Sequence, residues 1–156
     1  MGEKAPDVVV TRRVDAPPAS VWALVGDPAR IGEISPECYR ISWLGGATGP
    51  AVGARFVGWN RKGILRWPTT STVAELEPQR HVSWDVDVLG QSVARWSFTV
   101  EPDGAGLVIT QRWRDRRTKV AEIVGKSRTG DSPSHNRRGM EQTLDTVARR
   151  AAGPPG

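Results

Sequence analysis

The chain has 156 residues, 38% of them hydrophobic and 25% charged, with a formal net charge of +5. That length and balance suit one soluble globular domain large enough to bury a core. They exclude a disordered chain, and no apolar run approaches the ~20 residues needed to span a membrane.

The N-terminal MGEKAPDVVV offers no apolar core of a signal peptide, and the lone Cys38 rules out an internal disulfide. The expected location is therefore cytoplasmic. The 22 basic residues are eighteen arginines and four lysines, spread along the chain except for Arg112/Arg114/Arg116/Arg117 and Arg137/Arg138. No zinc-finger, helix-turn-helix or RNP pattern accompanies them, so they read as solvated strand and helix faces and not as a nucleic-acid surface.

Asp7–Ala16 (DVVVTRRVDA) is β-branched and bounded by Pro17-Pro18, which predicts a strand. Pro17 or Pro18 then opens a short helix with Val21, Trp22, Leu24 and Val25 as its apolar set, ended by Gly26-Asp27-Pro28. A second brief helix over Ala29–Ile34 is halted by Ser35-Pro36. From there the period changes from 3.6 to 2. Strands are predicted at Tyr39–Leu44, Ala54–Asn60, Leu65–Glu77, His81–Val88, Ser92–Glu101 and Leu107–Arg114, joined by turns that carry Gly, Pro or Asp. Short hairpins imply an antiparallel sheet. Asp115–Pro133 reads as a loop with a short helical turn at Val120–Val124.

Ser134–Ala152 predicts one long helix of roughly 28 Å, with Ser132 or Ser134 as its cap. Asn136, Met140, Thr143, Leu144, Val147, Ala148 and Ala151 recur on one face, and Asp145 and Arg149 stand at i,i+4. The fold class expected is therefore α+β: a curved seven-stranded antiparallel sheet wrapped around a long C-terminal helix, with two short helices between strands one and two. A sheet that curls around a single helix leaves a ligand-sized space between them.

Strand alternation selects what faces that space. Phe56, Gly58 and Asn60 share one parity, then Trp67, Thr69, Ser71 and Val73, then Val82, Trp84 and Val86. Trp96, Phe98 and Val100 follow, then Ile109, Gln111 and Trp113. Four of the seven tryptophans (Trp67, Trp84, Trp96, Trp113) therefore point at the helix. Core packing would account for them alone. The polar residues of the same parity, with Asn136 on the helix, tilt the reading toward a pocket, because burying each unpaired costs about 1–3 kcal/mol. The expected ligand-binding set is Phe56, Trp67, Thr69, Ser71, Trp84, Trp96, Phe98, Trp113, Asn136, Met140 and Leu144.

These segments resemble the START / Bet v 1-like (SRPBCC) helix-grip superfamily, and within it the bacterial polyketide cyclase/dehydrase and lipid-transport proteins. The residues that carry the likeness are VDAPPASVWALVGDPAR (14–30), VGARFVGWNRKG (52–63), RWPTTSTVAELEPQRHVSWDV (66–86) and RRGMEQTL (137–144). The resemblance implies one domain over 1–156 and a hydrophobic cavity between sheet and helix. It does not choose a function, since the superfamily includes cyclases, hydrolases, ligand carriers and chaperone activators.

For chemistry the inventory is thin. His81, His135 and Cys38 have no metal-ligand spacing, and no nucleotide, P-loop or nucleophile-elbow motif is present, so neither metal nor cofactor is expected. The inward parity holds no carboxylate; Glu33, Glu37 and Arg66 are the charges nearest the mouth. The candidate catalytic residues are Tyr39, Asn60, Gln111 and His135: a phenol, two amides that polarise carbonyls, and a general acid or base. Cys38 as a nucleophile is the weaker alternative to a small buried hydrophobe. The expected partner is a small hydrophobic or aromatic, polyketide-like molecule that is cyclised or dehydrated, or else carried as a lipid-like ligand. A second copy of the chain, as a homodimer, is a candidate partner. An interaction module using the basic surface is the third class.

Overall fold

The computed structural model describes residues 7–88, 90–116 and 133–152. Seven strands, β1 (Val8–Val14), β2 (Cys38–Trp43), β3 (Arg55–Lys62), β4 (Leu65–Glu77), β5 (His81–Val88), β6 (Gln91–Asp103) and β7 (Gly106–Asp115), form one antiparallel sheet. Its spatial order is β1-β7-β6-β5-β4-β3-β2, so only the β1–β7 pairing is distant in sequence. Helix α1 (Pro18–Val25) and a 3-10 helix (Pro28–Glu33) separate β1 from β2, and α2 (Pro133–Ala152) ends the chain.

The short elements follow their local chemistry. Pro18 opens α1 with its φ already helical, and the Gly26 N–H closes the helix on Trp22 O at 2.8 Å. The Asp27 carboxylate accepts from Ala29 N at 2.9 Å, which caps the next segment. That segment is the second brief helix expected over Ala29–Ile34, formed as a 3-10 helix from Pro28 to Glu33. The seven residues between Asp27 and Ser35-Pro36 are too few for a longer α-helical run to propagate.

The C-terminal helix begins one residue before its expected start, so Ser134 lies in the first turn and not at the cap. Ser132 and the helical turn expected at Val120–Val124 lie outside the described residues. Asn136, Met140, Thr143, Leu144 and Val147 are buried on one stripe against the sheet, where each large apolar side chain contributes about 1.5–3 kcal/mol. Asp145 pairs with Arg12 of β1 and not with Arg149, whose guanidinium donates to Thr146 Oγ1 instead. A cross-element partner thus replaces the local i,i+4 pair.

The convex face carries a charged network. Arg95 donates to both oxygens of Asp85 (2.7 and 3.0 Å), and Arg116 reaches Asp85 Oδ1 at 3.0 Å. Ser83 O–H donates to Glu75 Oε1 at 2.8 Å, with His81 between Glu75 and Thr99. The hydrogen bond from Arg95 holds the Asp85 carboxyl below its usual range, and that from Ser83 does the same for Glu75. Much of the Arg112–Arg117 cluster is engaged here: Arg114 pairs with Asp7 at 3.2 Å and Arg116 with Asp85.

Candidate functional site

Between the concave face of the sheet and α2 lies a pocket of about 1260 Å³. Its deep wall is aromatic. Phe56, Trp84 and Phe98 line it in a chain of ring contacts across β3, β5 and β6 at centroid distances of 6.2 and 6.0 Å, and Trp43 of β2 meets Phe56 at 5.5 Å from outside the lining. Trp96 meets Trp113 at 6.4 Å on β6 and β7. Edge-to-face and tilted geometry lets these rings tile a surface without closing the space in front of it.

Antiparallel order decides where the pocket opens. The β3–β4 and β5–β6 turns, the start of β2, the end of β7 and the start of α2 all fall at one end of the sheet. The exposed lining residues gather there: Arg61, Lys62, Gly63, Leu65 and Arg66 on the β3–β4 hairpin, Val88 and Gln91 on β5–β6, and Arg138 on α2.

Of the expected ligand-binding residues, Phe56, Trp67, Thr69, Ser71, Trp84, Trp96, Phe98, Trp113, Asn136 and Met140 line this pocket. Leu144 does not: it lies one turn further along α2, buried in the core. Of the expected catalytic residues, Asn60, Gln111 and His135 line the pocket and Tyr39 does not. The register shifts between Cys38 and Arg40, so the bulge turns Cys38 and Ile41 inward and leaves Tyr39 outside. There its ring carries the guanidiniums of Arg61 and Arg66 at 5.4 and 6.0 Å.

The polar wall groups fall into two kinds. Asn60 Nδ2 spends its hydrogens on the wall itself, 3.3 Å from Thr69 Oγ1 and 3.4 Å from Trp67 O, tying β3 to β4. Gln111 and Asn136 are only 5% and 4% exposed, yet Gln111 Oε1 and Asn136 Nδ2 have no hydrogen-bond partner. Among the described residues three buried side-chain polar atoms are in this state, and these two belong to the pocket lining.

At the open end, His135 Nε2 lies 3.1 Å from Glu37 Oε1 and both residues are half-buried. Neither is the solvated surface charge that its position in the sequence suggests. Cys38 lines the wall close by, its Sγ donating to Arg40 O at 3.7 Å. Burial pushes its thiol up to about 11, which leaves it a protonated small hydrophobe and a poor nucleophile.

The sequence reading missed Asp115, which continues the inward parity of Ile109, Gln111 and Trp113 and is 6% exposed. Ending the strand at Arg114 hid it; β7 runs one residue further. It stands beyond the pocket lining. Among the described residues no three His, Cys, Asp or Glu side chains gather to hold a metal, and no helix is long and apolar enough to cross a membrane.

The same architecture recurs in solved proteins. The polyketide-cyclase-like protein Cgl2372 of Corynebacterium glutamicum is 30% identical over 92% of this chain and 89% of its own, with a TM-score of 0.62. Major latex-like protein 151 of Panax ginseng is 13% identical over 94% and 97%, with a TM-score of 0.69. DynU16, from the dynemicin biosynthetic locus, is 16% identical over 96% of this chain and 48% of its own, at 0.65. The latter two likenesses show the fold alone. No curated protein sequence matches the chain significantly. The family model for polyketide cyclase / dehydrase and lipid transport matches residues 5–152. A helix-grip sheet, its long terminal helix and a family match over nearly every residue therefore agree: the chain belongs to the polyketide cyclase/dehydrase and lipid-transport family.

Proposed function

We propose that the pocket binds a small hydrophobic or aromatic, polyketide-like molecule and catalyses its cyclisation or dehydration. One observation carries this reading: two buried amide atoms, Gln111 Oε1 and Asn136 Nδ2, stand without a hydrogen-bond partner in an aromatic wall. Each costs about 1–3 kcal/mol in the empty protein, and a guest with its own donor and acceptor atoms removes that cost. Terminal amide torsions are soft, so Asn136 Nδ2 can turn to donate to a guest carbonyl and Gln111 Oε1 to accept from a guest hydroxyl.

The chemistry that suits this inventory is an intramolecular aldol step. The Glu37 carboxylate faces His135 Nε2 at 3.1 Å, and an imidazole oriented by a carboxylate serves as a general base. His135 takes an α-proton from between two carbonyls, and the enolate carbon attacks a carbonyl carbon further along the same chain. The new alkoxide takes the proton back from the imidazolium. Loss of that hydroxyl with a neighbouring α-proton then releases one water and leaves a double bond. The Asn136 Nδ2 donor polarises a carbonyl and the Gln111 Oε1 acceptor takes a hydrogen bond from an enol or hydroxyl, while the aromatic wall folds the chain into a near-attack shape.

A carrier of a lipid-like ligand is the second reading, favoured by the deep wall's lack of titratable side chains: Glu37, Cys38 and His135 all stand toward the open end. Asn136→Ala and Gln111→Ala separate the two. If turnover of a linear poly-β-ketothioester falls at least tenfold with little change in binding, the enzyme reading stands. Loss of affinity alone, with no turnover by the parent protein, leaves the carrier. Native mass spectrometry of the purified protein should show a co-purified small molecule. A pocket that retains and accepts no aromatic guest would end both readings.

A further inference from the structure

Among the described residues six large hydrophobic side chains are exposed, and four of them stand at the pocket's open end: Tyr39, Ile64, Leu65 and Val88. Leu65 and Val88, 48% and 42% exposed, are themselves part of the pocket lining. Ile64 is 97% exposed at the very tip of the β3–β4 hairpin. The other two, Leu44 and Val52, belong to the β2–β3 connection at the opposite end of the sheet. Exposed apolar residues scattered singly need no explanation, but a cluster on one rim does.

The hairpin is also cationic and stiff. Arg61, Lys62 and Arg66 flank the tip, Gly63 takes a left-handed φ of 60°, and Arg66 Nη1 donates to the carbonyls of Gly63 and Leu65 at 2.7 and 2.9 Å. Tyr39 carries two of these guanidiniums on its ring. Preorganised turn geometry, an apolar tip and a collar of positive charge are the components of an interfacial anchor: the tip enters the headgroup region while the cations meet phosphate.

The geometry points to a docking role for this rim. The β3–β4 hairpin seats Ile64 and Leu65 in the surface of an anionic phospholipid bilayer, so that the pocket opens toward the membrane. The collar's charge selects an anionic partner. A single protruding apolar tip, with Ile64 97% exposed, favours a lipid surface over a folded acidic protein. This inference does not depend on whether the pocket catalyses a reaction.

The test is co-sedimentation of the full chain with vesicles of phosphatidylcholine alone and of phosphatidylcholine with 30% phosphatidylglycerol, at low and at 0.5 M salt. The expected result is binding to the anionic vesicles only, abolished by salt. Ile64→Asp should weaken it at least tenfold, and Lys62→Gln or Arg61→Gln about fivefold each. Val52→Asp, at the far end, should leave it unchanged. Ile64 is almost fully exposed, so its variant should keep the parent melting temperature. Failure of the parent protein to sediment with anionic vesicles overturns the proposal. So does equal binding by the Ile64→Asp and parent chains, which would mean that the net charge of +5 alone is responsible. Binding to a polyglutamate peptide as tight as to vesicles, and indifferent to Ile64, would overturn it in favour of an acidic protein.

Discussion

Glu37 and His135 lie 98 residues apart in the chain and 3.1 Å apart at the open end of the pocket. Glu37 comes from the approach to β2 and His135 from the first turn of α2, so the contact ties the sheet's edge to the helix. It also sets an imidazole and a carboxylate beside the hollow between those elements. The enzyme reading is tested most directly here. His135→Ala should lower kcat by about 10²-fold or more with KM little changed. Glu37→Gln should cost less, about tenfold, because the ring stays but its orientation is held less firmly. Steady-state rates on a linear poly-β-ketothioester decide it; equal, small effects on both would reduce the pair to a structural tie.

Gln111→Leu should act in opposite directions on stability and affinity. Removing a buried amide whose oxygen has no partner stabilises the empty protein by about 1 kcal/mol, a rise in Tm of about 2–4 °C. Affinity for an oxygenated aromatic such as 2-naphthol should fall at the same time. A thermal melt paired with fluorescence titration reads both. A variant that melts lower and binds unchanged would show that the amide has a partner in solution.

Two glycines should respond oppositely to alanine. A Cβ at Gly58 would meet Cys38 Sγ and Thr69 Oγ1 at 3.6 Å, an ordinary contact on the pocket wall. Gly58→Ala should therefore change stability by about 0.5 kcal/mol at most while taking space from the guest. A Cβ at Gly106 would stand 2.6 Å from Val14 O, on backbone that the β1–β7 ladder holds in place. Gly106→Ala should cost about 1–3 kcal/mol, read by denaturant unfolding.

Cys38 should resist alkylation by iodoacetamide at neutral pH. The thiolate is the reactive form, and burial moves the thiol up to about 11. The rate should climb only as pH approaches that value. Fast labelling at pH 7.5 would mean that the wall opens in solution.

The Arg95–Asp85 pair makes acid stability testable. Asp85 is held below its unfolded value, near about 3.9. Its contribution is therefore complete above that value and is lost as pH falls through the lowered folded pKa. Asp85→Asn should destabilise the protein by about 1 kcal/mol at pH 7, after solvent screening, and flatten the pH dependence of the melt below about pH 4. An unchanged acid limb would assign it to other carboxylates.

The strands, the inward parities of Phe56 to Trp113 and the buried stripe of α2 were legible in the sequence. Period and alternation arise from sterics within a few residues, and a sheet with one polar face must obey them. Tyr39 was not legible. A single bulge between Cys38 and Arg40 reverses its face, and bulges depend on register with β3. Nor was Asp115, whose strand gains its last residue from pairing with Ala94 of β6. The Glu37–His135 contact and the two unpartnered amide atoms are further still from local pattern. They exist because the curved sheet brings distant backbone to one end and one wall of a hollow, and only long-range packing decides which polar atoms find partners there.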